Sequence, residues 1–148
     1  MKRILVMGLP GSGKTTLAEA MFHEFDKHKK SVFWYNADSV RNIYNDWDFS
    51  DTGRLRQAQR MHDLTNVNQD LDYVICDFVC PTPLLRAIFK PDILIWVNTV
   101  MSSRYEDTND KFTSPKHWDF QVVGKNAELF ARDIVEEILK KENINGSV

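Results

Sequence analysis

Eight consecutive residues, Gly8-Leu9-Pro10-Gly11-Ser12-Gly13-Lys14-Thr15, match G-x-x-x-x-G-K-[ST] at every fixed position, and they limit the fold of this 148-residue chain tightly. The flanks fit the same setting. Ile4-Leu5-Val6-Met7 reads as part of a buried strand over residues 2–7. A helix is predicted over 14–28, where Leu17, Met21 and Phe25 recur four apart with Ala18 and Phe22 beside them. Strand, glycine-rich turn and helix in that order let successive backbone N–H groups point at one anion, while the helix adds its positive end. Gly8, Gly11, Ser12, Gly13, Lys14, Thr15 and Thr16 are therefore the expected ligands of a nucleotide's phosphates. Lys14 would reach the β- and γ-phosphates and the Thr15 hydroxyl would hold Mg²⁺. The bland reading, a glycine-rich turn with a chance lysine, does not account for both flanks.

The rest of the chain alternates strands with helices. Strands are predicted over 31–35, 73–77, 93–97 and 120–123, each rich in β-branched or aromatic residues. Asn36 or Asp38 is placed to cap a short helix, and residues 45–53 read as turn. A longer helix is predicted over 54–68 on Leu55, Ala58, Met61 and Leu64, and a short one over 84–89 after Pro81 and Pro83. The last, over 126–140, has Ala127, Phe130, Ile134 and Ile138 on one side, with a frayed tail from Glu142. Residues 98–118 are polar and aperiodic, a length of connection that is usually functional. With no repeat and no linker, the expectation is one α/β domain over 1–148, a three-layer P-loop fold. A parallel sheet of about five strands is expected, resembling the nucleoside-monophosphate-kinase group.

Composition excludes some roles. A net charge of −2 gives no broad reason to bind nucleic acid or an anionic membrane, so an anion must be held locally. The apolar run after Met1-Lys2-Arg3 is too short for a leader, and no stretch approaches the ~20 residues of a membrane span. A cytoplasmic protein is expected. Cys76 and Cys80 are too close along an extended segment to pair well, and His23, His28, His62 and His117 are too scattered to complete a zinc site.

The motif leaves the type of P-loop protein open. The guanine-reading Asn-Lys-x-Asp of small GTPases is absent where Val97-Asn98-Thr99-Val100 stands, and motor-like ATPases need more chain. A kinase whose 98–118 segment closes over ATP and excludes water fits the length. Asp77 ends an apolar strand, as a metal-linked acid does, although a turn-initiating Asp fits equally. Asp38 follows the second strand, where one carboxylate can orient or deprotonate an acceptor hydroxyl; a plain helix cap is the alternative. Arg41, Arg54, Arg56 and Arg60 make the middle segment basic, a cluster that can hold an anionic acceptor by bidentate contacts or serve as a solvated face, and Trp47, Phe49 and Phe78 are candidates for a pocket wall or for core. Arg104 and Lys111 are candidates to reach the transferring phosphate, against the plain reading of surface charges.

At this point the chain resembles the adenylylsulfate kinases, over residues 8–16 and 36–60, then more loosely at Cys80-Pro81 and in the 98–118 segment. The family's Asp-Gly-Asp-Asn-x-Arg block stands here as Asn36-Ala37-Asp38-Ser39-Val40-Arg41. Its Phe and its Arg-x-x-Asn-x-x-Arg pattern correspond to Phe49 and to Arg54-Leu55-Arg56-Gln57-Ala58-Gln59-Arg60. The resemblance implies that Asp38 serves the acceptor hydroxyl and that Arg41, Phe49, Arg54 and Gln57 line the acceptor site. Gln57 stands where Asn is usual, Cys80 replaces a serine, and the Arg-Asp-x-Lys-Gly-Leu-Tyr segment is reduced to Glu106-Asp107-Thr108-Asn109-Asp110-Lys111-Phe112. Asp77 is an unusual acid for its strand end. The expected function is transfer of the γ-phosphate of ATP, with Mg²⁺, to a hydroxyl acceptor. Adenylylsulfate is the named candidate, with a nucleoside, a sugar or a hydroxylated base in nucleic acid as alternatives. A nucleotide-binding regulatory module without transfer is the rival class.

Overall fold

The computed structural model describes residues 1–101, 103 and 105–146. Its elements are β1 (Lys2–Met7), α1 (Lys14–Lys27), β2 (Val32–Asn36), α2 (Ala37–Tyr44), α3 (Asp51–Asn66) and β3 (Tyr73–Asp77). They continue with α4 (Pro83–Phe89), β4 (Ile93–Val97), α5 (Glu106–Lys111), β5 (Phe120–Val122) and α6 (Ala127–Gly146). The five strands form one parallel sheet in the order β2-β3-β1-β4-β5. Parallel neighbours need crossovers, and the intervening helices supply them on both faces of the sheet.

Period-two alternation sorts the strand residues between two cores. Ile4 and Val6 of β1, with Tyr73 and Ile75 of β3, pack on Leu17, Met21 and Phe25 of α1 and on Ile134, Val135 and Ile138 of α6. Leu5 and Met7, with Val74 and Cys76, pack on Val40 of α2, Ala58 and Met61 of α3, and Leu85 and Phe89 of α4. Each fully buried Leu, Ile, Val, Met or Phe among these contributes about 1.5–3 kcal/mol of transfer free energy. The same parity continues to the strand ends: Trp34, Asn36 and Asp77 fall on the α1-facing side, with Asn36 in register opposite Asp77.

Several boundaries differ from the expected ones. The long middle helix starts at Asp51 rather than 54, because the Ser50 hydroxyl accepts a hydrogen bond from the Gly53 N–H and caps it early. The final helix runs on to Gly146 where fraying from Glu142 was expected. The aperiodic 98–118 segment contains the short helix α5. Among the described residues, no helix is long and apolar enough to cross a membrane.

Candidate active site

The turn after β1 is fixed by backbone demands. Gly11 and Gly13 take φ of +82° and +95°, a region that L side chains rarely adopt. A Cβ on Gly8 would stand 2.6 Å from the Val97 carbonyl oxygen and 2.7 Å from Ser12 Oγ. The Ser12 N–H donates to Leu9 O (3.1 Å), and Thr99 Oγ1 donates to Ser12 O (2.6 Å), tying the loop to the end of β4. Two groups are left wanting partners: α1 begins without a side-chain cap, and the buried Ser12 Oγ has no partner among the described residues. Uncapped N–H groups at a helix start and an orphaned buried hydroxyl both suit phosphate oxygens.

Beside this turn, Asp77 is 1% exposed. Its Oδ2 accepts from Thr15 Oγ1 (2.7 Å) and Asn36 Nδ2 (3.0 Å), and its Oδ1 accepts from Trp34 Nε1 (2.6 Å). Burial pushes the Asp77 carboxyl upward, opposed by the hydrogen bonds from Thr15, Trp34 and Asn36 and by the charge of Lys14. Burial likewise lowers the Lys14 ammonium, and the carboxylates of Asp77 and then Asp38 pull it back up. Thr15 and Asp77 together offer adjacent hard oxygens, a donor set that fits Mg²⁺.

The opposite wall begins at α2. Asn36 is its N-cap: Oδ1 accepts from the Ser39 N–H (3.0 Å), which fixes the amide so that Nδ2 faces Thr15 and Asp77. The capping job is therefore taken. Asp38, in the first turn of α2, is exposed on the cavity, without a hydrogen-bond partner among the described residues. Arg41 and Arg54 are both buried, with guanidinium carbons 4.3 and 5.6 Å from the centre of the Phe49 ring. Arg41 Nη1 donates to the carbonyls of Asp46 (3.0 Å) and Asp48 (3.2 Å). Arg54 Nε donates to Phe49 O (2.8 Å), and its Nη2 reaches Asp107 Oδ2 (3.3 Å) and Thr108 Oγ1 (3.2 Å) of α5. Gln57 donates to Ala37 O (3.2 Å) and accepts from Arg60 (2.8 Å), so it braces the start of α2.

These walls enclose one cavity of about 1040 Å³, lined by Lys14, Thr15 and Asp77 on one side, Asp38, Arg41, Phe49, Arg54 and Gln57 on the other, and residues of the 98–118 segment above. A family model for adenylylsulphate kinase matches residues 2–101, more than half of the chain. The chain belongs to the adenylylsulphate kinase family. No curated protein sequence matches it significantly. Solved structures share the fold. The APS kinase CysC of Mycobacterium tuberculosis, in complex with AMPPNP and APS, is 16% identical with a TM-score of 0.78; the match covers 91% of this chain and 95% of that one. A gluconokinase from Sinorhizobium meliloti 1021 is 13% identical with a TM-score of 0.63, covering 95% and 97%. Shikimate kinase from Acinetobacter baumannii, in complex with shikimate, is 13% identical with a TM-score of 0.62, covering 98% and 94%.

In this member of the adenylylsulphate kinase family, most residues singled out from the sequence share the cavity. Lys111 does not line it; its ammonium pairs with Asp51 at the start of α3. Arg104 lies outside the described residues. Arg56 and Arg60 are taken up by Asp46, at 2.8 and 2.9 Å, and pin the 45–50 loop. Cys76 and Cys80 are free and buried, and burial pushes both thiols up. Sequence reasoning passed over Trp34, and took Asn36 only as a cap. The signal was there: both lie two apart on β2, and Asn36 ends its strand as Asp77 ends the next.

Proposed function

We propose that this chain transfers the γ-phosphoryl group of ATP to a hydroxyl acceptor. One observation carries the reading: Lys14 and the Thr15–Asp77 pair face Asp38 across a single cavity. The uncapped turn 8–16 cradles the phosphates, and Lys14 offsets charge on the moving group. Thr15 and Asp77 would hold Mg²⁺, which when bound supplies charge neutralisation on the phosphate oxygens. The acceptor oxygen forms its bond to the γ-phosphorus as the bond to the β–γ bridging oxygen breaks, and Asp38 Oδ takes the hydroxyl proton. The side chains of 98–118 that line the cavity limit the water that could compete.

Family membership makes adenylylsulphate the first acceptor to try, with nucleosides, sugars and hydroxymethylated DNA beside it. In an assay with γ-labelled ATP, label should reach one acceptor, and Asp38→Asn should lower that rate by about 10²–10⁴-fold. ATP affinity in Asp38→Asn should hold within about twofold, since the carboxylate faces the acceptor side. Full transfer by Asp38→Asn would remove Asp38 from the chemistry. Tight ATP binding with no transfer to any acceptor would overturn the kinase reading.

A further inference from the structure

Asn36 and Asp77 end neighbouring strands in register, and carboxamide and carboxylate meet at 3.0 Å. Both also reach the Thr15 hydroxyl, at 3.2 and 2.7 Å. Hydrogen-bond direction here is forced. Asn36 Oδ1 is taken up in capping α2, accepting from the Ser39 N–H and Oγ (3.0 and 3.2 Å), so the amide presents only its NH₂ to Asp77. Trp34 Nε1, a donor alone, takes the other carboxylate oxygen at 2.6 Å. Position 77 must therefore accept on both oxygens, which an ionised carboxylate does and an amide cannot. The same contacts survive if the two groups are exchanged. An aspartate at 36 still caps α2 and accepts from an asparagine at 77, whose own oxygen then accepts from Trp34. The sequence fits such an exchange: the block that resembles Asp-Gly-Asp-Asn-x-Arg opens with Asn36, and the unusual acid Asp77 stands one strand over.

Resting on the reading of Thr15 and Asp77 as the metal-holding pair, we propose that Asn36 and Asp77 are one unit, a single negative charge that either strand end can carry. Asn36 is then a positioning residue that joins the two walls of the cavity. Its Nδ2 orients Asp77 and Thr15, while its Oδ1 sets the first turn of α2, from which Asp38 faces the cavity. Each half constrains the other. A second carboxylate at 36 brings like charges into contact beside Asp77, which is 1% exposed, and an amide at 77 leaves Trp34 or Asn36 donating to a donor.

The test compares the full chain with Asn36→Asp, Asp77→Asn and the reciprocal double variant. Thermal midpoints without metal should fall by about 3 °C or more in each single variant, the scale of one unsatisfied buried polar group. In the double variant the midpoint should return to within about 2 °C of wild type. Mn²⁺ affinity is read by paramagnetic resonance with a non-hydrolysable ATP analogue present. It should weaken about tenfold or more in Asp77→Asn and recover to within about threefold of wild type in the double variant. Recovery of both quantities is a result that packing alone does not produce. Midpoint losses that add, a double variant that does not fold, a double variant that binds Mn²⁺ as weakly as Asp77→Asn, or a wild type that holds no Mn²⁺ overturns the proposal. Label transfer from ATP by wild type reads the kinase proposal separately: recovery in the double variant with no acceptor ever labelled sinks that reading and leaves this one standing.

Discussion

The turn after β1 and the 45–50 loop face each other across the cavity, yet they are held by different physics. The first depends on φ angles at Gly11 and Gly13 and on short-range bonds such as Ser12 N–H to Leu9 O. The second depends on ion pairs and guanidinium contacts, from Arg56 and Arg60 to Asp46, and from Arg54 to α5, 53 residues away. Backbone geometry cannot be titrated or screened. Charge pairs can be, by acid and by salt. The wall proposed to hold the triphosphate is therefore rigid by construction, and the wall proposed to choose the acceptor is adjustable.

The largest expected effect tests the rigid wall. Lys14→Ala removes the cation that faces the turn and leaves the buried Asp77 without its nearest opposite charge. Phosphoryl transfer should fall at least about a hundredfold, the scale of a lost charge-stabilising donor. Nucleotide affinity should weaken with it, while acceptor binding on the other wall should change little. Equal losses on both sides would show that the two walls are not independent.

A smaller effect tests how the rigid wall orients its acid. Trp34 Nε1 and Asn36 Nδ2 hold the two oxygens of Asp77 from the neighbouring strand. Trp34→Phe keeps a ring in place and deletes one donor. Outer-shell partners of this kind typically matter about 10–100-fold in metal affinity. Mn²⁺ titration followed by paramagnetic resonance should show about tenfold weaker binding, with metal-free nucleotide binding unchanged. An unchanged Mn²⁺ affinity would reduce Trp34 to packing.

What could be read beforehand follows the same division. The P-loop, the strands and the apolar faces of α1 and α6 are local patterns, so the sequence displays them directly: Leu17, Met21 and Phe25 are all buried as their spacing implies. Arg54, Arg56 and Arg60 look alike in the sequence. Only the fold separates them, burying Arg54 against α5 and spending Arg56 and Arg60 on Asp46. The place of Lys111 in the 98–118 segment points it at a phosphate; its partner Asp51 is 60 residues away and invisible to any window. Asp77 was ambiguous for a related reason, since its four neighbours come from β2, α1 and the P-loop rather than from its own strand.

The smallest effect tests the adjustable wall itself. The Asp46 carboxyl is held well below its ordinary value, first by the hydrogen bonds from Arg56 and then by those from Arg60. A carboxyl depressed in the folded state stabilises it above the unfolded value, 3.8, and that contribution drains away as pH falls toward the folded value. The 45–50 loop should therefore lose hydrogen-exchange protection as pH drops from about 5 to about 2, while amides 9–13 of the glycine-rich turn keep theirs. Asp46→Asn should show the loosened loop already at pH 7, so the gap between wild type and variant should shrink steadily with acid. Asp48, depressed by Ser50 and Arg56, titrates in the same direction and keeps part of the slope in the variant. A gap that stays constant across this range would mean that the loop is held by the Arg41 and Arg54 guanidinium contacts with the Phe49 ring, and that both walls of the cavity are rigid after all.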